Sequence, residues 1–482
     1  MKFKCQELTS STSTAGGSLS FNRGTDLWRR KSFLVVMPQI AASLLIAQVL
    51  LAPGIGTAAT YYVSGTGSDR NNGLSAAAPL RHLQTAADLT RPGDTVMVMN
   101  GTYTPAEKGA RVLNIRIPGN ASAWITYQAA PGQHPVINFT NGKTGIHIDA
   151  AYIIIDGFEV AGGAQHVTLA YAKAHAKDLT NYLTSAIGIN IDPNTNGRIP
   201  HHVVIRNNIV HDAPSDGIDS CYADYITIQH NTVYSNAFWS PFGDSGISIW
   251  EMRDVDDYTG YKNYIVDNVS YNNRTFIPEH RSGKIQDGNG IIVDDNKNTQ
   301  STNVAAYRGR TYVANNIVYE NGGAGIHVYS CQHVDVLNNT AWMNNQSPQI
   351  NDGEISANSA GDVNILNNIS YAPPGKVFYN SGGNDSSVVY DFNLLFSTRI
   401  KAGRFGSPLG PHDIVADPIF VATARHDFHL KAGSPAIDSG TASLAPSTDF
   451  DGNHRPAGAG FDRGAYEFQP AELREGRSGE GK

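Results

Sequence analysis

Charge is scarce in this sequence. Of 482 residues only 16% are charged, 36 Lys and Arg against 43 Asp and Glu, giving a formal charge of −7. No basic field exists to hold nucleic acid or an anionic membrane surface. Cysteine is nearly absent: three residues, Cys5, Cys221 and Cys331, are too few for a disulfide framework or a cysteine-rich zinc site. P-loop, Rossmann fingerprint and HExxH patterns are missing. The string GDSG at Gly243 has the form of a serine-protease nucleophile, but the supporting His and Asp contexts are not there.

The first 60 residues differ from the rest. Arg29, Arg30 and Lys31 precede an apolar stretch from about Phe33 to Ala52, followed by the small residues Thr57, Ala58 and Ala59. This order reads as a signal peptide, although the stretch is also long enough to be an uncleaved anchor. Residues 1–59 are therefore set apart, and a periplasmic or secreted protein is expected.

What is abundant is glycine, at 48 residues, and a repeated asparagine motif. NNIVH at Asn207, HNTVY at His230, DNVSY at Asp267, NNIVY at Asn315, NNTAW at Asn338 and NNISY at Asn367 share Asn in second place. The intervals are 23, 37, 48, 23 and 29 residues, so the shortest fits one coil of a β-solenoid and the longer ones carry insertions. A second column repeats glycine ahead of an alternating strand: GINI at Gly188, GIDS at Gly217, GISI at Gly246, GIIV at Gly290, GIHV at Gly325 and GEIS at Gly353. Stacked about 4.8 Å apart, such asparagines form a structural ladder in which each amide donates and accepts. His211, Tyr234, Tyr271, Tyr319, Trp342 and Tyr371 follow three residues later as an aromatic ladder. Cys221 and Cys331 fall three coils apart, roughly 14 Å, and are not expected to pair.

Two segments carry a family resemblance. TYYVSGTGSDRNNG at Thr60 resembles the N-terminal cap of secreted parallel β-helix proteins, and ADPIFVATARHDFHLKAGSPAIDSG with DFDGNHRPAGAGFDRGAYEF resembles their C-terminal segment. Between them the coils resemble the right-handed β-helix repeat family that includes the family-nine polysaccharide (pectate) lyases. The fold class implied is all-β, a single-domain right-handed parallel β-helix over 60–415. A C-terminal capping segment over 416–468 and a disordered tail over 469–482 complete the chain. The function implied is calcium-dependent cleavage of a uronate polysaccharide by β-elimination, by a monomer that meets a membrane only through an uncleaved leader.

Chemistry is expected where insertions break the repeat: residues 193–202, 236–244, 251–262, 273–289 and 296–310 all flank the glycine-led strands. On those strands the first residue after glycine points inward and the second outward. The outward set includes Asp216, Asp219, Ser248, Trp250, Asp294 and His327, with Asp244, Glu251, Asp287 and Asp295 at the strand ends. By resemblance, Asp216, Asp244, Asp287, Asp294 and Asp295 hold calcium. Lys297 or Lys284 is then the base, with Arg308 in the catalytic set. Asp219, Trp250, Arg253 and His327 line the substrate, and Arg281 and Arg310 are further partners for uronate carboxylates. The aspartates also suit turn capping, and the lysines solvated loops. Two readings compete: a glycoside hydrolase with an aspartate pair about 6.5 to 9.5 Å apart, and a non-catalytic glycan-binding solenoid or adhesin.

Overall fold

The computed structural model describes residues 57–193, 197–300, 304–384, 387–398 and 409–469. The leader expected over 1–59, apart from its last three residues, and the tail beyond 469 lie outside the described residues. From Thr60 onward the chain coils through three parallel sheets, of eleven, eight and eleven strands. Every pairing within them is parallel and joins successive coils, the arrangement of a parallel β-helix. A typical coil contributes His201–Arg206 to the first sheet, Ile209–His211 to the second and Ile218–Cys221 to the glycine-led sheet. Inward residues such as Val203, Ile205, Val210 and Ile218 are fully buried and fill the interior from coil to coil.

The asparagine motif marks the corner between the first two sheets. Its leading residue, Asn207, His230, Asp267, Asn315, Asn338 or Asn367, takes a left-handed conformation with φ between 52° and 59°. Asn, Asp and His tolerate that region best. The second residue points inward and joins the ladder. Asn231 Oδ1 accepts the backbone N–H and side-chain amide of Asn208, both at 3.0 Å, while Asn231 Nδ2 donates to Asn268 Oδ1 and to the Ile205 carbonyl. The pattern repeats through Asn316, Asn339 and Asn368 to Asn393, a rung hidden in the divergent sequence FNLLF, and ends on Asp413. Outside the same sheet His211, Tyr234, Tyr271 and Tyr319 stack with ring centroids 4.9, 4.9 and 4.7 Å apart.

A second asparagine ladder, not anticipated, runs through Asn236, Asn273, Asn321 and Asn344 at the corner leading into the glycine-led sheet. It accounts for the glycine column. A Cβ on Gly217, Gly246, Gly290 or Gly325 would lie 2.5 to 2.8 Å from a ladder amide nitrogen. In the next coil the register pairs Ile326 with Ile355, so the glycine position is taken by Glu354 and not, as expected, by Gly353. The Glu354 carboxylate caps the ladder, accepting from Asn344 N at 3.0 Å and Nδ2 at 2.6 Å.

A short helix, Leu83–Leu89, packs against the first strand of the glycine-led sheet, Arg111–Ile115, at the N-terminal end. Near the C-terminus, residues 409–469 contain one antiparallel hairpin and lie along the asparagine corner. There Asn315, Asn338 and Asn367 donate to the carbonyls of Thr448, Asp462 and Thr441. Within this segment Arg455 and Glu467 form a buried ion pair at 2.7 Å. Cys331 is a free, buried thiol, so it does not pair with Cys221. Among the described residues no helix is long and apolar enough to cross a membrane.

Asn268→Ala breaks the first ladder in mid-run, orphaning donors above and acceptors below. It is expected to destabilise by about 3 kcal/mol or more in denaturant unfolding. Glu354, pushed up to about 8 by burial, keeps a proton that the unfolded chain loses near its ordinary value. Stability from this group is therefore present at low pH and lost as pH rises towards 8, with a slope of at most about 1.4 kcal/mol per pH unit. Unfolding curves across that window should show the slope in the wild type and its loss in Glu354→Gln.

Candidate active site

The outer face of the glycine-led sheet carries a cleft of about 760 Å³ above the strands Ile247–Trp250, Ile291–Asp294 and Ile326–Tyr329. Trp250, Ile292, Asp294, His327 and Tyr329 form its floor, in register from strand to strand. One wall is the segment Glu279–Asp287, which presents Arg281 and Lys284. The buried Glu279 carboxylate shapes that wall by accepting the backbone N–H groups of Arg281 at 3.0 Å and Ser282 at 2.7 Å. Thr299 and Gln300 stand opposite, and Gln349, Ile350, Asp352 and Asn380 close the far side.

Of the expected site residues, Trp250, Lys284, Asp287, Asp294 and His327 therefore come together in the cleft. Asp219 lies on the same face two strands before Ile292, in register with Ser248. The others are occupied elsewhere. Asp216 accepts the Ser245 N–H at 2.7 Å, and Asp244 accepts the hydroxyls of Ser215 and Ser240, tying the 236–244 insertion to the coil below. Asp295 is fully buried and accepts the N–H groups of Thr299 and Gln300 at 2.9 and 2.7 Å. Lys297 donates to the Ser359 carbonyl at 2.9 Å. Arg253 is held by Glu251 and Asn298 and stacks on Tyr222. Arg308 pairs with Asp254 and Asp257, and Arg310 with Asp335 and Asp362, away from the cleft.

The expected calcium cage of five aspartates does not assemble, because Asp216, Asp244 and Asp295 hold backbone and hydroxyl groups in place. Among the described residues no group of three His, Cys, Asp or Glu is placed to hold a metal ion. Asp287 and Asp294 remain as the two expected ligands that face the cleft. Glu279, Asp352, Gln349 and Asn380 were missed by the sequence reading. All but Glu279 belong to loops after the fifth insertion: the long interval between NNTAW and the next glycine-led strand was the one available signal for Gln349 and Asp352, and Asn380 lies in the loop that follows the strand Ile369–Tyr371.

Truncating an aspartate that holds backbone should cost more than truncating one that faces the cleft. Asp295→Ala is expected to destabilise by about 1 to 3 kcal/mol and Asp294→Ala by under about 0.5 kcal/mol in denaturant unfolding.

The family model for the Pel9A-like right-handed β-helix region matches residues 61–376. No curated protein matches the chain. Among solved structures, pectate lyase Pel9A is 18% identical, with 86% of this chain and 97% of that one covered and a TM-score of 0.48. A rhamnogalacturonan lyase is 13% identical (76% and 91% covered, TM-score 0.42), and an alginate lyase from Paenibacillus sp. str. FPU-7 is 16% identical (69% and 96%, TM-score 0.39). With about two thirds of its length matched by the family model, the coils and the cleft they carry identify the chain as a member of the Pel9A-like right-handed β-helix family.

Proposed function

We propose that the protein is a secreted polysaccharide lyase that cleaves a uronate-containing glycan by β-elimination in the cleft above Trp250, Asp294 and His327. The observation that carries this reading is the make-up of the walls. An open cleft on a rigid sheet combines Arg281 and Lys284 with the carboxylates of Glu279, Asp287, Asp294 and Asp352 and the rings of Trp250 and Tyr329. Aromatic faces suit sugar rings, and a guanidinium suits a uronate carboxylate.

In β-elimination a base takes the proton beside the uronate carboxylate, the bond to the next sugar breaks, and the departing oxygen is protonated. Lys284 is the expected base that the cleft contains, and Arg281 binds the carboxylate. Carboxylates outnumber cations on these walls, so a uronate chain needs further positive charge. Calcium shared between Asp287, Asp294 and the substrate's own carboxylate would supply it, acidifying the proton to be removed. The same surplus of carboxylates favours the second reading, a glycoside hydrolase with an acid and base pair.

Incubation with polygalacturonate, alginate and glucuronoxylan should give ultraviolet absorbance from an unsaturated product on at least one polymer. Chelator should lower the rate at least about ten-fold and Lys284→Ala at least about a hundred-fold, the range of one general base. New reducing ends without absorbance would establish the hydrolase instead.

A further inference from the structure

The wall that carries Lys284 also carries a histidine. His280 lies between Glu279 and Arg281 and lines the cleft. The wall closes there as a tight turn: the Glu279 N–H donates to the Lys284 carbonyl and the Gly283 N–H to the Glu279 carbonyl, both at 2.8 Å. His280 and Lys284 thus stand near the two feet of one turn, and both line the cleft.

The imidazole is fixed through one of its two nitrogens. The Pro241 carbonyl, which already receives the His280 backbone N–H at 2.8 Å, lies 2.9 Å from Nδ1, and Glu279 Oε1 lies 3.2 Å from the same atom. A carbonyl can only accept, so Nδ1 carries a proton. The Phe242 ring meets the imidazole edge to face at 5.4 Å and limits its tilt. Nε2 is the nitrogen left for proton exchange. It makes no hydrogen bond among the described residues, and the side chain is 19% exposed.

The departing oxygen of an elimination needs a proton, and the other polar groups of the cleft are less suited to give one. Arg281 does not release its protons. Glu279 is spent on backbone N–H groups, and His327 turns one ring nitrogen to Asn358 at 2.9 Å and buries the other. Burial and the carboxylates of Asp294, Asp287 and Asp295 push the Tyr329 hydroxyl up, so it yields its proton reluctantly.

We infer that His280 is the catalytic acid of the elimination, its Nε2 delivering the proton to the departing glycosidic oxygen. This assignment rests on the lyase reading of the cleft and completes its proton balance. Lys284 Nζ takes the proton from C5, the carbon beside the carboxylate, and the C–H electron pair becomes the C4–C5 double bond. The C4–O bond breaks with its pair on oxygen, and the Nε2 proton of the imidazolium goes to that oxygen. The ring is left neutral with Nδ1 still bound to Pro241. A proton passed from Lys284 to His280, directly or through water, restores both groups.

The test compares His280→Ala, His280→Asn and Lys284→Ala on the polymer that the wild type cleaves and on a uronide of the same sugar carrying a 4-nitrophenyl group on O4. Nitrophenolate departs without needing a proton. Each His280 variant is expected to lose at least about a hundred-fold on the polymer and under about three-fold on the nitrophenyl substrate, whereas Lys284→Ala loses heavily on both. Asparagine keeps an amide for the Pro241 carbonyl, so His280→Asn should melt with the wild type and still lose the polymer rate, where a structural role would spare it. Polymer activity retained in His280→Asn overturns the assignment. Equal loss on both substrates overturns it too, since His280 would then act before the leaving group does. Either result leaves the lyase reading intact. A wild type that yields no unsaturated product on any polymer overturns the lyase reading and the acid role with it.

Discussion

Each inner asparagine of this protein uses its whole amide. The oxygen accepts from the backbone and side chain of the coil before, and the nitrogen donates to a carbonyl of that coil and to the next rung. Nothing shorter or apolar can replace it, because the left-handed corner leaves a backbone N–H and a carbonyl inside the helix with no strand to pair with. Two such columns, one at each end of the short second-sheet strands, fix where a coil turns. The three parallel sheets follow from those fixed corners, and the glycine column follows from the room that the second ladder takes.

With the corners settled, coil length is free to vary on the remaining sides. The long insertions leave the second sheet and arrive at the glycine-led sheet, or leave it for the first, and so rise around one face. The floor of the cleft is made of rigid strand residues and its walls of loops that carry their own internal ties. Glu279 organises the wall bearing Arg281 and Lys284, while Asp244 and Asp295 root the loops beside it. The acidic residues of this region thus divide between construction and display.

That division is what the sequence could not reveal. The motif columns, the strand alternation and the aromatic stack were legible because they recur at each coil and repetition separates them from chance. The second ladder was not, although its members stand five residues after those of the first: the residues between them vary and no shared dipeptide marks them. Asp294 and Asp295 are neighbours in sequence, yet one faces the cleft and the other is sealed beneath two amides. Alternation along a strand sends them opposite ways, and the left-handed turn at Asp295, with φ of 44°, completes the difference. Arg308 and Lys297 sit in an insertion that flanks the right sheet, but their charges are spent on Asp254, Asp257 and a backbone carbonyl.

The leading asparagines of the corner motif serve a second time. Their left-handed backbone turns the chain, and their side chains point outward to grip residues 441–462, three rungs from three separate coils holding one strap. None of those grips exists until the coils bearing Asn315, Asn338 and Asn367 are stacked in register. This later segment thus acts as an inspector of the coils before it: a coil slipped by one unit offers its amides at the wrong height, and the strap finds nothing to fasten to.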